Sequence, residues 1–192
     1  MPVIHTARLL LVPATPAILR AELESAAALA QVLGVEVPGN WPPELYDEGA
    51  VRWMLDALER EPAAADWGFY YVALQPAAGA DRPLLIGASG YKGPPDTHGT
   101  VEIGYGILPE HRRRGYAREA VDGLLDRAFA DARVARVIAH TLPDLVPSIA
   151  VLRSAGFSFT GPGADPQEPE AIAYELTRAE YNLTAGRRGA EA

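Results

Sequence analysis

Val101-Glu102-Ile103-Gly104-Tyr105-Gly106-Ile107-Leu108-Pro109-Glu110-His111-Arg112-Arg113-Arg114-Gly115-Tyr116-Ala117 reads as a strand that passes through a short loop straight into a helix. The start of a helix carries unpaired backbone N–H groups and a partial positive charge, which makes it a ready anion site. Gly115 has no side chain, so a phosphate can approach the main chain there. Arg112, Arg113, Arg114 and Arg118 crowd the same turn. Cations at a helix N-terminus oppose its dipole, at a cost of a few tenths of a kcal/mol or more each. An anionic ligand reconciles that choice; a solvated basic turn, partly offset by Glu119 and Asp122, is the plainer alternative. Along the strand Val101, Ile103, Tyr105 and Ile107 share one face, and Glu102, Gly104 and Gly106 the other. Glycines inside a strand often mark close approach by a ligand or another backbone, and here they stand beside a carboxylate.

Outward from this stretch the chain alternates strands and helices. Arg8 to Pro13 reads as a strand. A helix from Ala17 to Leu33 is closed by Gly34, and a second runs from Asp47 to Glu61 with Pro62 ending it. Trp67 to Leu74 and Leu84 to Tyr91 read as strands. Gly115 to Asp131 is the most regular helix, with Val121, Leu124, Leu125, Ala128 and Phe129 on its buried face. Arg136 to Thr141 is a strand and Pro147 to Ser154 a helix. Phe157 to Thr160 and Ile172 to Leu176 are closing strands. The order predicts one mixed α/β domain over residues 1–184, with 185–192 a frayed tail.

The bulk numbers narrow the function. Of 192 residues, 48% are hydrophobic and 22% charged, so the chain can bury a core and is not broadly disordered. It has no cysteine, which removes disulfides, thiolate metal sites and a cysteine nucleophile. A net charge of −8 disfavours general nucleic-acid binding and suits a cationic partner. The N-terminus does not read as a signal peptide, and no apolar run approaches the ~18 to 20 residues of a membrane span. A cytoplasmic protein with no membrane or nucleic-acid partner is expected, and a homodimer is compatible with the sequence. No histidine pair has metal-ligand spacing with a third partner, so no metal is expected. His98, His111 and His140 read as surface or packed residues, Tyr105 as a core residue, and Trp41, Trp53 and Trp67 as core or pocket wall.

Arg112-Arg113-Arg114-Gly115-Tyr116-Ala117 resembles the Q/R-x-x-G-x-G/A signature of the GNAT superfamily of N-acetyltransferases. The preceding Val-Glu-Ile-Gly-Tyr strand and the long helix after it fit the same family. So does the later stretch Thr141-Leu142-Pro143-Asp144, Ser148 to Leu152 and Ala155-Gly156-Phe157. Thr6-Ala7-Arg8-Leu9-Leu10-Leu11 resembles the opening of its RimJ/RimL-like branch. The resemblance implies a mixed, mostly antiparallel sheet flanked by helices and splayed near Glu102, with acetyl-CoA in the opening. It implies that the backbone of Arg112, Arg113, Arg114, Gly115, Tyr116 and Ala117 holds the CoA pyrophosphate. The strand backbone at Gly104, Tyr105, Gly106 and Ile107 would then pair with the pantetheine arm. The activity implied is acetyl transfer to an amine, on a protein N-terminus or a small molecule, with Glu102 as base. Leu152 replaces the tyrosine that many members use to protonate the leaving thiolate. Ser148 is the alternative acid of the RimL-like branch, and it also reads as a helix N-cap. Leu145 replaces a common asparagine that contacts pantetheine. A non-catalytic acyl-CoA-binding module on the same fold is the rival reading. A nucleotide-binding protein lacks support, since neither G-x-x-x-x-G-K-[ST] nor G-x-G-x-x-G after a strand occurs.

Overall fold

The computed structural model describes residues 2–44, 46–76, 81–163 and 169–183. The tail expected at 185–192 lies outside them. Among the described residues the elements follow the sequence reading closely. They are β1 (Ile4–His5), β2 (Leu9–Pro13), α1 (Pro16–Glu24), α2 (Ala26–Leu33), α3 (Glu48–Arg60), β3 (Phe69–Leu74) and β4 (Leu84–Tyr91). There follow β5 (Thr100–Ile107), α4 (Tyr116–Ala130), β6 (Arg136–Thr141), α5 (Val146–Ser154), β7 (Ser158–Pro162) and β8 (Ile172–Thr177). The single helix expected from Ala17 to Leu33 is two helices. Ser25 stands between them in extended conformation, and its hydroxyl accepts from Ala28 N at 3.1 Å. A serine that bonds the backbone ahead of it caps a new helix more readily than it continues an old one.

The strands hydrogen-bond in the order β1-β2-β3-β4-β5-β6-β8-β7. The β1/β2, β2/β3, β3/β4, β6/β8 and β7/β8 pairs are antiparallel, and β5/β6 is parallel. This is the mixed, mostly antiparallel sheet with helices that the resemblance implied.

The chain forms two compact units interleaved in sequence: Met1–Pro94 with Tyr105–Gly123, and Pro95–Gly104 with Leu124–Ala192. Strand β5 and helix α4 each contribute to both. The first unit buries Leu19, Leu29, Val51, Leu58, Tyr71 and Leu85 in one cluster, which joins α1, α2 and α3 to β3 and β4. The spacing that predicted the apolar faces of these helices is the spacing that fills this core. The second unit buries Val101, Ile103, Leu124, Leu125, Ala128, Val137, Leu152, Phe157 and Tyr174. In β5 the alternation holds: Val101, Ile103 and Ile107 are buried, while Glu102, Gly104 and Gly106 are partly exposed. Tyr105 departs from the expectation and stays half-exposed. No described helix is long and apolar enough to cross a membrane.

Candidate active site

In the first unit, the chain leaves β5 and enters the turn before α4 with two residues in the left-handed region. Arg113 has φ 61° and Gly115 φ 82°. A left-handed conformation costs a residue with a side chain ~1–2 kcal/mol, so Arg113 is held there by its surroundings. Gly115 O accepts the first α4 bond, from Glu119 N at 3.0 Å. Among the described residues, the N–H groups of Arg113 to Ala117 have no backbone acceptor outside helices and strands. Successive backbone N–H groups in a turn of this kind are what anion-binding concavities are built from. Arg112, Arg113, Arg114 and Gly115 are exposed around it, Ala117 half-exposed and Tyr116 buried.

Protein partners occupy some of the crowded cations. Arg112 donates through Nε to Ile107 O at 2.8 Å and pairs with Glu44 Oε2 at 2.8 Å. Arg118 pairs with Asp122 at 3.0 Å, one helical turn on. The offset by Glu119 takes another form, because Glu119 serves Arg8. Arg8 Nε reaches Glu119 Oε2 at 2.7 Å, and Thr6 Oγ1 and the Arg8 amide reach Oε1 at 2.6 and 2.7 Å. Arg8 Nη1 donates to Arg114 O at 3.0 Å, and its guanidinium lies 4.6 Å from the Tyr116 ring centre. Burial works to raise the Glu119 pKa, but these hydrogen bonds and the Arg8 charge prevail and lower it. Arg8 thus fastens the carbonyl of Arg114 from behind, a role the sequence reading did not assign. The Thr6-Ala7-Arg8 opening was its only signal.

The Pro-rich segment before α3 is also tied to this region. Asn40 Nδ2 donates to both Glu110 carboxylate oxygens at 2.9 Å. Trp41 Nε1, Tyr46 OH and Tyr71 OH all donate to the half-buried Glu22 carboxylate, at 2.6, 2.8 and 2.5 Å. Burial first, then neighbouring charge, raises both tyrosine pKa values far above the ordinary phenol range. A side chain at Gly106 would stand 3.7 Å from Pro43. One at Gly87 would stand 2.3 Å from Gly106 O, so this close approach requires a glycine at 87. Trp67 is buried as expected, whereas Trp53 is exposed and not part of the core.

In the second unit, β5 pairs with β6 at Thr100↔Arg136, Val101↔Val137 and Glu102↔Ile138, and the ladder ends there. Strand β6 continues to Thr141 on its other neighbour, β8. Glu102 therefore stands at the last rung of a parallel pair. Its Oε1 lies 2.9 Å from His140 Nδ1, and the two side chains are 22% and 16% exposed. Thr100, Glu102, Arg136 and His140 lie on one face of this pair. On that face Arg136 reaches Thr100 Oγ1 at 2.9 Å and Glu175 Oε2 at 3.2 Å. The structure thus gives His140 a definite partner that its sequence position had not revealed. Its register, two residues past the partner of Glu102, was the available clue. Around Gly104 a side chain would meet nothing within 4 Å.

Ser148 is half-buried at the third residue of α5. It is not the helix N-cap: Leu145 holds that position, with no side-chain bond. Pro147 stands inside the first turn, where its missing N–H costs nothing, so the helix starts one residue ahead of the expected Pro147. Leu152 is buried in the core of the second unit, and Leu145 is exposed. His98 is exposed, and Asp96 Oδ1 accepts from its backbone N–H at 2.8 Å. His111 is mostly buried, and its Nδ1 has no partner among the described residues. No group of three or more metal-ligating side chains occurs among them either.

A left-handed turn at the head of a long helix, with a mostly antiparallel sheet that includes the parallel pair β5/β6, defines a mixed α/β protein with a candidate anion site. The chain belongs to the GNAT acetyltransferase family, whose domain model matches residues 8–158. The uncharacterized N-acetyltransferase YjdG of Bacillus subtilis is 29% identical over 125 residues, covering 65% of this chain and 71% of that protein. An acetyltransferase from Agrobacterium tumefaciens shares the fold with a TM-score of 0.62 at 22% identity, over 93% of this chain and 95% of that one. RimL, a ribosomal L7/L12 alpha-N-protein acetyltransferase solved with coenzyme A, does so with a TM-score of 0.64 at 15% identity, over 92% and 98%. The protein is accordingly an acetyl-CoA-dependent acyltransferase of the kind that acts on amine acceptors.

Proposed function

We propose that this protein transfers the acetyl group of acetyl-CoA to a primary amine, on a protein N-terminus or a small molecule, by direct attack on the thioester. The observation that carries the reading is the turn with Arg113 and Gly115 in left-handed conformation and N–H groups from Arg113 to Ala117 that have no backbone acceptor among the described residues. In this reading those amides hold the CoA pyrophosphate, with the cations of Arg112, Arg113 and Arg114 around it. The backbone of Gly104, Tyr105, Gly106 and Ile107 pairs with the pantetheine arm, for which the open side of Gly104 leaves room. The RimJ/RimL-like branch is the best placement. The Thr6 and Arg8 of its opening both engage Glu119 beside the turn.

An alkylammonium with a pKa of ~10 is mostly protonated at neutral pH. Removal of one proton exposes the nitrogen lone pair, which attacks the thioester carbonyl; the C–N bond forms and the C–S bond breaks. Glu102 is the carboxylate on which that deprotonation depends. Ser148 is the proton donor to the departing thiolate, since Leu152 carries no hydroxyl. The naming of curated relatives as N-acetyltransferases supports transfer over mere acyl-CoA binding.

The test is a screen of peptides with free N-termini, amino acids, polyamines and aminoglycosides, read by thiol release from acetyl-CoA and repeated with Glu102→Gln. Turnover with at least one class is expected, and the variant is expected to lose about 10²–10⁴-fold in kcat. A variant with full turnover at saturating amine across pH removes Glu102 from the mechanism.

A further inference from the structure

We infer that the proton leaving the amine is taken up by His140, with Glu102 acting through it. The inference rests on the acetyl-transfer reading above and assigns a second residue to its first chemical step. His140 Nδ1 lies 2.9 Å from Glu102 Oε1. A carboxylate that accepts from Nδ1–H fixes the ring and its tautomer, leaves the Nε2 lone pair as the basic site, and stabilises the imidazolium once it forms. Nε2 has no partner among the described residues, and the side chain is 16% exposed. Both side chains project from the same face of a parallel pair, Glu102 opposite Ile138 and His140 two residues on. The ring is therefore placed by backbone register rather than by a loop. The side chain is also confined from behind: its Cδ2 would be 3.1 Å from any Cβ at Gly163. The other charged groups on this face are Arg136 and Glu175, and they answer each other at 3.2 Å. Glu102 is thus the carboxylate that meets the imidazole.

The step balances simply. The ammonium N–H bond breaks, its proton forms the Nε2–H bond, and the electron pair stays on nitrogen for the attack. As the C–S bond breaks, the pair goes to sulfur. The thiolate takes the Ser148 hydroxyl proton and leaves as CoA thiol, the nitrogen's second proton restores that hydroxyl, and the imidazolium returns its proton to solvent.

The experiment uses the full chain with acetyl-CoA and n-butylamine, a bare primary ammonium, as probe acceptor. Wild type is compared with His140→Gly, His140→Asn and Glu102→Gln for kcat, for KM of each substrate, and for the pH profile. The His140 variants are expected to lose roughly 10²-fold or more in kcat with the KM for acetyl-CoA unchanged. Their remaining rate should rise steadily with pH as free amine becomes available. Added imidazole should restore part of the rate in His140→Gly and none in Glu102→Gln, because a base supplied in solution replaces only the missing ring. His140 variants within twofold of wild type, or a loss with neither an altered pH profile nor imidazole rescue, overturn the inference and leave the acetyl-transfer reading standing. If wild type turns over n-butylamine but Glu102→Gln keeps full rate, the carboxylate reading fails as well. Absence of turnover by wild type strikes the primary-amine reading itself, and this inference with it.

Discussion

The turn at Arg112 to Ala117 and the rung at Glu102 are both charged, and the protein treats them in opposite ways. At Glu102 the charge is met from within: His140 Nδ1 stands at hydrogen-bond distance and the side chain is mostly covered. At the turn the protein fastens the outside of the backbone and leaves the inside donors unanswered. Arg8 takes the Arg114 carbonyl and Glu44 takes Arg112, while the N–H groups of Arg113 to Ala117 have no backbone acceptor among the described residues. In the proposed function the two regions have different tasks. A group that must gain and lose a proton needs a partner to hold it in one tautomer and orientation. A group that must hold a ready-made anion needs donors with nothing yet to donate to.

That contrast can be broken most directly at Gly115. Gly115→Glu places a negative charge at the mouth of the turn and forces a side chain into φ 82°. The strain alone is about 1–2 kcal/mol. Acetyl-CoA affinity by calorimetric titration should fall at least about tenfold, the equivalent of ~1.4 kcal/mol. Unchanged affinity would mean the diphosphate is held elsewhere and the two regions do not differ as described.

Arg8→Ala sharpens the comparison at intermediate cost. It removes the Arg114 carbonyl bond, the Glu119 pair and the contact over Tyr116. Arg8 is 47% exposed, so the pair is partly screened by water. A loss of about 1 kcal/mol in urea denaturation is expected. The KM for acetyl-CoA should rise while kcat at saturation holds. A fall in kcat with unchanged KM would assign Arg8 to the chemistry instead.

The smallest effect is the acid limb of stability. Glu119 has its pKa lowered in the fold, so the unfolded chain binds a proton more readily than the folded one. Its contribution is fully present above the ordinary carboxylate range and is lost as pH falls through the folded-state pKa. Glu119→Gln should therefore flatten the decline in melting temperature between neutral and acidic pH, while leaving the slope above neutrality alone. An unaltered acid limb would show that the Thr6 and Arg8 contacts do not favour the ionised form.

The sequence by itself determined the order and type of nearly every element, because apolar spacing and helix caps are local quantities. Strand β4 and helix α3 fall where Leu84 to Tyr91 and the run closed by Pro62 put them. The candidate anion turn was also legible, since a glycine among arginines at a helix start is a conflict visible without coordinates. Local pattern misread Ser25, where a side chain outcompetes helix continuation, and Ser148, where the cap belongs to Leu145. Only the tertiary structure brought Arg8 to Glu119, Glu22 to three ring donors, and His140 to Glu102. Each of these contacts joins residues far apart in the chain, and strand register or helix packing, not spacing along the sequence, sets which side chains meet.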